Sequence, residues 1–202
     1  MKFEVILKGL LALLLLILWS CNEGILKTGE QSIYSLIIND VAQPIPPLPP
    51  PPLGKESVMS MPKEIIDSLE QISLDVAIAP FFNISKTNLN KQKIDLEYHS
   101  VIDLLFSKDT IHIISDEMIG LQKKHRVDVI NEAELRDKKR LFEHFDQLIY
   151  LSNITFNAER NRAVVYVGWT REGRLAGGTL LYLLKREGKN WFIEDVRELS
   201  IS

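Results

Sequence analysis

Four consecutive strand-like runs in the C-terminal third constrain the fold of this chain most strongly. The segments between the runs are short and rich in Gly, Asn or charged residues, which is typical of hairpin turns. Two of the runs, 162–170 and 178–186, are apolar on both faces, so we expect them to be central strands covered by helices on one side. The sequence therefore predicts an antiparallel β-meander of about four to five strands. The runs lie at about 152–157, 162–170, 178–186 and 190–201.

The sequence before the meander predicts two to three helices and further strands. Ser60 can cap a helix that has Pro62 in its first turn. Asn131 and Glu134 form an Asn-led variant of the capping box, which predicts a helix that continues to about Ile149. Packed on the meander, these helices give the predicted fold class, α+β. The remaining expected elements are a helix at 98–106 and strands at 74–79, 111–114 and 127–130.

The first twenty residues have the pattern of an export signal. Lys2 and Lys8 give the chain a basic start, and residues 10–18 are an unbroken run of Leu, Ile and Ala. Nine apolar residues suit the hydrophobic region of a signal peptide, whereas a membrane-spanning helix needs roughly 20. Cys21, directly after this region, is the only cysteine of the chain, which excludes an intramolecular disulfide and a cysteine-based metal cluster.

The sequence Leu18-Trp19-Ser20-Cys21 resembles the lipobox of bacterial lipoproteins. The resemblance implies that the thiol of Cys21 receives a diacylglyceryl group, that the chain is cut before Cys21, and that the new amine is acylated. Trp19 departs from the pattern, because a small or β-branched residue is common at that place. The alternatives are an ordinary secretory signal and an uncleaved N-terminal anchor. Lipidation predicts a location in the bacterial cell envelope, with the domain in the periplasm or at the cell surface.

A proline-rich segment separates the predicted anchor from the predicted domain. Residues 44–52 hold seven of the nine prolines, and because proline fixes φ and removes amide donors, the run favours polyproline II. At about 3.1 Å per residue, it would act as a semi-rigid spacer of roughly 30 Å. A ligand for SH3-like or WW-like modules is the alternative interpretation. We therefore expect a signal peptide (1–20), a lipidated cysteine with a proline-rich tether (21–57) and a single α+β domain (58–202).

The C-terminal region also carries a family resemblance. It resembles the C-terminal region of certain uncharacterised bacterial lipoproteins, whose curved sheet is similar to the cystatin-like or NTF2-like arrangement. The resemblance implies the fold and the envelope location, and it transfers no catalytic residue. The residues that carry it are 151–157, 163–167, Gly177-Gly178, 181–184, 188–191 and Ile193.

The sequence lacks the local signatures of common active sites. The four histidines are 13, 13 and 19 residues apart, and no pair has the i, i+4 spacing of two ligands on one helix face. There is no G-x-S-x-G elbow, S-x-x-K pair or phosphate-binding loop. The formal charge of −3 gives no basic surplus for a nucleic-acid partner. We therefore predict no catalytic set, no metal and no cofactor. The histidines are His99, His112, His125 and His144.

The remaining candidate is an aromatic face on the meander. Packing in the core explains most aromatic residues of a sheet. The functional hypothesis is that a curved sheet leaves a concave pocket lined by aromatic rings, next to turn arginines that attract an anion or a carboxylate. An exposed aromatic patch would equally suit a protein interface. The candidate residues for this ligand or partner face are Tyr166, Trp169, Arg171, Arg174 and Tyr182.

These features favour a non-catalytic envelope lipoprotein whose sheet domain binds or scaffolds another envelope component. Its partners would be the membrane, through the lipid, and an envelope protein. One alternative is an envelope hydrolase with a non-local active site, which would gather carboxylates or a Ser/His pair with perturbed pKa values in one pocket. The other is a small-ligand carrier of the NTF2-like type, which would have a deep, mostly enclosed apolar cavity.

Replacement of Cys21 tests the anchor. We expect the parent protein to incorporate labelled palmitate and to fractionate with membranes, because two or more acyl chains give a stable anchor. Cys21→Ala should lose both properties, whereas Ser20→Ala should retain them because a small residue is kept before the cysteine. Label incorporation and unchanged fractionation of Cys21→Ala would contradict lipidation.

Overall fold

One mixed β-sheet runs through the part of the chain that the computed structural model describes, which comprises residues 29–44, 63–84, 94–107, 111–120, 122, 124–171 and 176–201. The predicted signal peptide, Cys21 and most of the proline run lie outside these residues. The helices are α1 (29–41), α2 (Lys63–Glu70), α3 (His99–Phe106, after a 3-10 turn at Leu96–Tyr98), α4 (Asp116–Ile119), α5 (Glu132–Arg136) and α6 (Lys138–Leu141). The strands are β1 (Asp75–Ile78), β2 (Phe81–Asn83), β3 (Ile111–Ile113), β4 (Arg126–Val129), β5 (Gln147–Leu151), β6 (Thr155–Phe156), β7 (Arg162–Arg171), β8 (Gly177–Glu187) and β9 (Asn190–Ile201).

The strand order of the main sheet is β4-β1-β5-β7-β8-β9, with the short β6 also paired to β7. Strand β1 is parallel to both β4 and β5, whereas β5, β7, β8 and β9 are antiparallel neighbours. Strands β2 and β3 form a separate antiparallel pair. The α+β class and the C-terminal meander are confirmed, and the parallel strands β1 and β4 make the whole sheet mixed.

Helix α1 is part of the hydrophobic core. Ile33, Tyr34, Ile37 and Ile38 have no exposed surface, because the i, i+4 pairs 33/37 and 34/38 place them on one face of the helix. This face packs on the side of the sheet that carries Val165, Val167 and Tyr182, which we call the α1 face. Residues 29–44 therefore belong to the folded domain, although the sequence assigned them to the tether. In the chain, the proline run follows α1 and precedes α2.

The other side of the central strands, the α3 face, carries Val164, Tyr166 and Leu181. These residues pack against the buried side of α3, formed by Val101, Ile102 and Leu105. Successive side chains of a strand point to opposite faces, so the doubly apolar β7 and β8 need a cover on each side. The expectation that helices cover one side only was therefore wrong.

The single helix expected from Asn131 to about Ile149 is also wrong. The capping box itself is present: the Asn131 side chain accepts from the Glu134 amide at 3.0 Å, and the Glu134 carboxylate accepts from the Asn131 amide at 2.9 Å. Asp137, with φ −96° and ψ 71°, then ends α5 and caps α6. Residues 147–151 form β5 between β1 and β7. A short buried strand has the same unbroken apolar sequence as a buried helical segment, so periodicity cannot separate the two.

Polar contacts fix α1 in its place on the sheet. The Tyr182 hydroxyl donates to the Asp40 carboxylate at 2.7 Å, and the Tyr34 hydroxyl donates to the carbonyl of Ser152 at 3.1 Å. Burial raises the pKa of both tyrosines above the ordinary range, and the hydrogen bond to Asp40 raises that of Tyr182 further. Both hydroxyls therefore remain donors.

Two buried histidines join loops to the sheet. His125 Nδ1 accepts from the Leu74 amide, and His112 Nδ1 accepts from the Asn153 amide, each at 3.1 Å. An Nδ1 acceptor fixes the neutral tautomer with its proton on Nε2. Burial lowers the pKa of both imidazoles, and for His125 the charge of Lys124 lowers it further.

Truncation of Ile37 tests whether α1 belongs to the core. We expect Ile37→Ala to lower the free energy of unfolding by about 2–5 kcal/mol, because it removes a fully buried side chain and leaves a cavity. Ile72→Ala is the matched control, since Ile72 is 42% exposed, and should cost less than about 1 kcal/mol. Urea unfolding followed by circular dichroism measures both. Equal stabilities of parent and Ile37→Ala would contradict the packing of α1.

The two buried histidines predict that acid lowers stability. Above the unfolded-state pKa of about 6.5, both folded and unfolded chains hold neutral imidazoles. As the pH falls below that value, the unfolded chain takes up protons before the folded chain, so the free energy of unfolding decreases. Replacing both His112 and His125 with Gln should reduce the stability difference between pH 7.5 and pH 5.5, measured by urea unfolding. The same replacement of the exposed His144 should leave that difference unchanged, and a reduction there instead would contradict the assignment.

Candidate functional site

The sheet divides the predicted aromatic face into two sides. Tyr182 is opposite Val165 in the register, whereas Tyr166 is opposite Leu181, so the two tyrosines project from opposite faces. Tyr166 is buried on the α3 face, with its ring centroid 5.5 Å from that of Phe82. Arg174, like Cys21, lies outside the described residues. The five candidates therefore do not form one surface.

The concave pocket expected beside Tyr182 is filled by α1. Tyr182 has no exposed surface, and its hydroxyl is engaged by Asp40 of α1. Its ring belongs to the same buried cluster as Ile37 and Ile38. On this face the sheet is a packing surface for a helix, and Tyr182 is a core residue.

Trp169 and Arg171 remain together. They share the α1 face near the end of β7, and the Arg171 guanidinium carbon lies 5.4 Å from the centroid of the Trp169 ring. The backbone of Gly178 is directly opposite Trp169, and a Cβ at Gly178 would lie 2.7 Å from the Ser200 carbonyl oxygen. A glycine is required there by this close approach. The Trp169 ring lies beside Gly178 and makes a cation–π contact with the Arg171 guanidinium.

Arg171 lines a cleft of about 580 Å³ at the end of the sheet where α1 finishes. Its walls are the segment after α1, the start of β1, and the turn that leads into β5. The Arg171 guanidinium donates to the carbonyl oxygen of Gln43. Burial lowers the pKa of Arg171, which means that its charged head is partly removed from water. The remaining lining residues are Pro44, Leu74, Asp75, Phe142, Glu143, His144, Phe145, Asp146, Gln147 and Ala176.

Two of the three carboxylates of the cleft have partners other than Arg171. The Asp75 carboxylate forms an ion pair with Arg126 Nε at 3.0 Å. The Asp146 carboxylate accepts a hydrogen bond from the backbone amide of Asp75 at 2.8 Å. Within the described part of the chain, no carboxylate lies within ion-pair distance of Arg171. The cleft therefore contains a half-buried guanidinium whose charge has no protein counter-ion among the described residues.

A second cleft of about 420 Å³ adjoins the first, because His144 and Phe145 line both. It lies beside α5 and α6. The turn at 142–146 separates the two clefts. This turn was not expected, because the sequence predicts one continuous helix there. Asp137 was the available signal, since Asp in the middle of a helical pattern is a residue type that favours a new N-cap.

A separate polar cluster lies at the opposite end of β7. The Tyr98 hydroxyl donates to the Glu194 carboxylate at 2.5 Å, and Arg162 pairs with both Glu97 and Glu194. Burial first, and then the hydrogen bond to Glu194, raise the pKa of Tyr98 above the ordinary range. The members of this cluster pair with one another, so we assign it a structural role.

The described residues contain neither of two other features. No group of three or more His, Asp or Glu side chains among them is arranged to hold a metal ion. None of the helices within the described ranges is both long enough and apolar enough to cross a membrane.

Comparison with known proteins adds no relative from which a function could be transferred. No family model matches the chain, and no curated protein and no solved structure is detectably similar to it.

Proposed function

We propose that the protein is a lipid-anchored component of the bacterial cell envelope, and that its domain binds another envelope component at the Arg171 cleft. The half-buried guanidinium of Arg171, which has no carboxylate partner among the described residues, carries this proposal. A charge that is partly removed from water is costly unless it is paired. The planar guanidinium fits a carboxylate through two parallel hydrogen bonds. The partner would therefore present an acidic side chain or a C-terminal carboxylate.

The apolar part of the cleft suits a protein segment. Phe142 and Phe145 flank the cleft on the turn before β5, and aromatic side chains beside an arginine are typical of residues that dominate binding interfaces. Trp169 stacks behind Arg171 and, together with the bond to the Gln43 carbonyl, fixes its orientation. An oriented side chain loses little conformational entropy on binding.

A hydrolase is the second candidate, because the same cleft gathers Asp75, Glu143 and Asp146 with His144. Two of these carboxylates have structural partners, Arg126 and the Asp75 amide, which favours binding over proton transfer. Asp146→Asn separates the hypotheses, since the amide oxygen can still accept from the Asp75 amide while the carboxylate is lost. Binding should survive this change within about twofold, as expected for a group outside the energetic centre of an interface, whereas hydrolysis that depends on Asp146 should be lost.

Crosslinking in the native envelope tests the proposal. A photo-crosslinking residue in place of the exposed Glu143, on the rim of the cleft, should capture one reproducible partner, identified by mass spectrometry. The same residue in place of the exposed Glu187, at the β8–β9 turn at the opposite end of the sheet from the cleft, is the position control. We expect Arg171→Gln to reduce capture at least about tenfold, because loss of one member of a buried charge pair costs roughly 2–5 kcal/mol.

Arg136→Gln is the matched charge control, since Arg136 is highly exposed and pairs with Glu132 one turn away. It should leave capture unchanged. Arg171→Lys should give an intermediate yield, because it keeps the charge and loses the planar fork. Unchanged capture by folded Arg171→Gln would contradict the role of Arg171.

A further inference from the structure

Strands β2 and β3 present an exposed apolar face. Phe81 is paired with Ile113, and Asn83 with Ile111, so Phe81, Ile111 and Ile113 point to the same side of the two-stranded sheet. They are 37%, 60% and 67% exposed. The alternate residues point inward, where Phe82 packs against Tyr150. We call the outward side the β2–β3 face.

The β2–β3 face and the start of α1 lie at the same end of the domain. The Gln31 side chain, in the first turns of α1, donates to the carbonyl of Glu117 at 2.8 Å. Ile113 is four residues before Glu117, a span of at most about 14 Å even when extended. The Ile114 amide also donates to the carbonyl of Pro80, directly before Phe81, at 3.0 Å. The chain that leads back to Cys21 therefore leaves the described fold at the same end of the domain as this face.

The length of that chain limits how far this end can lie from a membrane. Seven residues lie between Cys21 and Gly29, which makes eight steps along the chain, and at most about 3.3–3.6 Å per step allows a span of less than roughly 30 Å. A tether of this length holds the face at a high local concentration near the bilayer surface. The proline run adds nothing to this distance, because it follows α1 in the chain.

From these observations we propose that the β2–β3 face contacts the phospholipid bilayer when Cys21 is lipidated, so that Phe81, Ile111 and Ile113 enter its headgroup region. This inference rests on the lipid anchor of the proposed function. It also orients the domain. Helix α1 is 13 residues long, or about 20 Å at 1.5 Å per residue, and the Arg171 cleft lies where it ends. The cleft would thus lie at the opposite end of α1 from the anchored chain, where it stays open to a partner.

Site-directed fluorescence on the full-length, lipidated protein tests the orientation. Cys21 is the only cysteine and is acylated in this form, so Ile113→Cys provides a single thiol for an environment-sensitive dye. The protein is reconstituted into phosphatidylethanolamine–phosphatidylglycerol vesicles with brominated acyl chains. We expect the dye at position 113 to shift to the blue and to lose at least about half of its fluorescence, since apolar faces at an interface lie roughly 5–10 Å deep.

Ile72→Cys is the control for position. Ile72 is also exposed but lies before β1, at the end of the sheet remote from the β2–β3 face, so its dye should show neither change. Protein that floats with the vesicles while the two dyes respond equally would overturn the orientation and leave the anchor intact. Protein that does not float with the vesicles would overturn the anchor itself, so the two failures are distinguishable. If brominated lipid does not quench the dye at position 113 but a crosslinker at that position captures a protein in the native envelope, the face binds a protein partner. That result would overturn contact with lipid.

Discussion

The packing of α1 on the sheet is the interaction on which the rest of this structure depends. The central strands β7 and β8 are apolar on both sides, and α3 covers only one of them. Without α1, the side that carries Val165, Tyr182 and Leu184 would face water. At roughly 25 cal/mol for each Å² of apolar surface buried, these contacts are a large part of what stabilises a domain of this size. Residues before the proline run are consequently an essential part of the fold.

The direction of α1 gives the domain two distinct ends. Gln31 fixes the start of the helix beside α4, and Arg171 fixes the backbone just beyond its end through the carbonyl of Gln43. The predicted lipid is attached through a short segment at the first end, and the cleft with its half-buried guanidinium lies at the second. In the proposed arrangement, the anchor and the binding site lie at opposite ends of one helix and so leave each other accessible. A stiff spacer is then unnecessary for access to the cleft.

The sequence correctly predicted the elements that are determined by the pattern of neighbouring residues. Strands β7 and β8 are continuous apolar runs, and short segments of Gly, Asn and charged residues separate them from each other and from β9, so the bounds of all three differ from expectation by one residue or less. The failures occurred where tertiary contacts decide. Residues 147–151 continue a helical pattern but are buried as a strand between β1 and β7. Residues 29–41 have an apolar face that the sequence shows. Its main partners, β7 and β8, lie more than a hundred residues later in the chain, and no local pattern connects them to it.

The candidate site shows the same division. Strand parity alone separates Tyr166 from Trp169, because an odd number of positions along a strand reverses the side chain, and it unites Trp169 with Arg171. The other walls of the cleft come from Gln43, Asp75 and Asp146, which no local pattern connects. Arg171 becomes informative only when these segments meet around it, because the same arginine on an open turn would be a solvated surface charge. The chemistry that we assign to the cleft is therefore a property of the assembled fold, and it exists only while α1 positions Gln43 against Arg171.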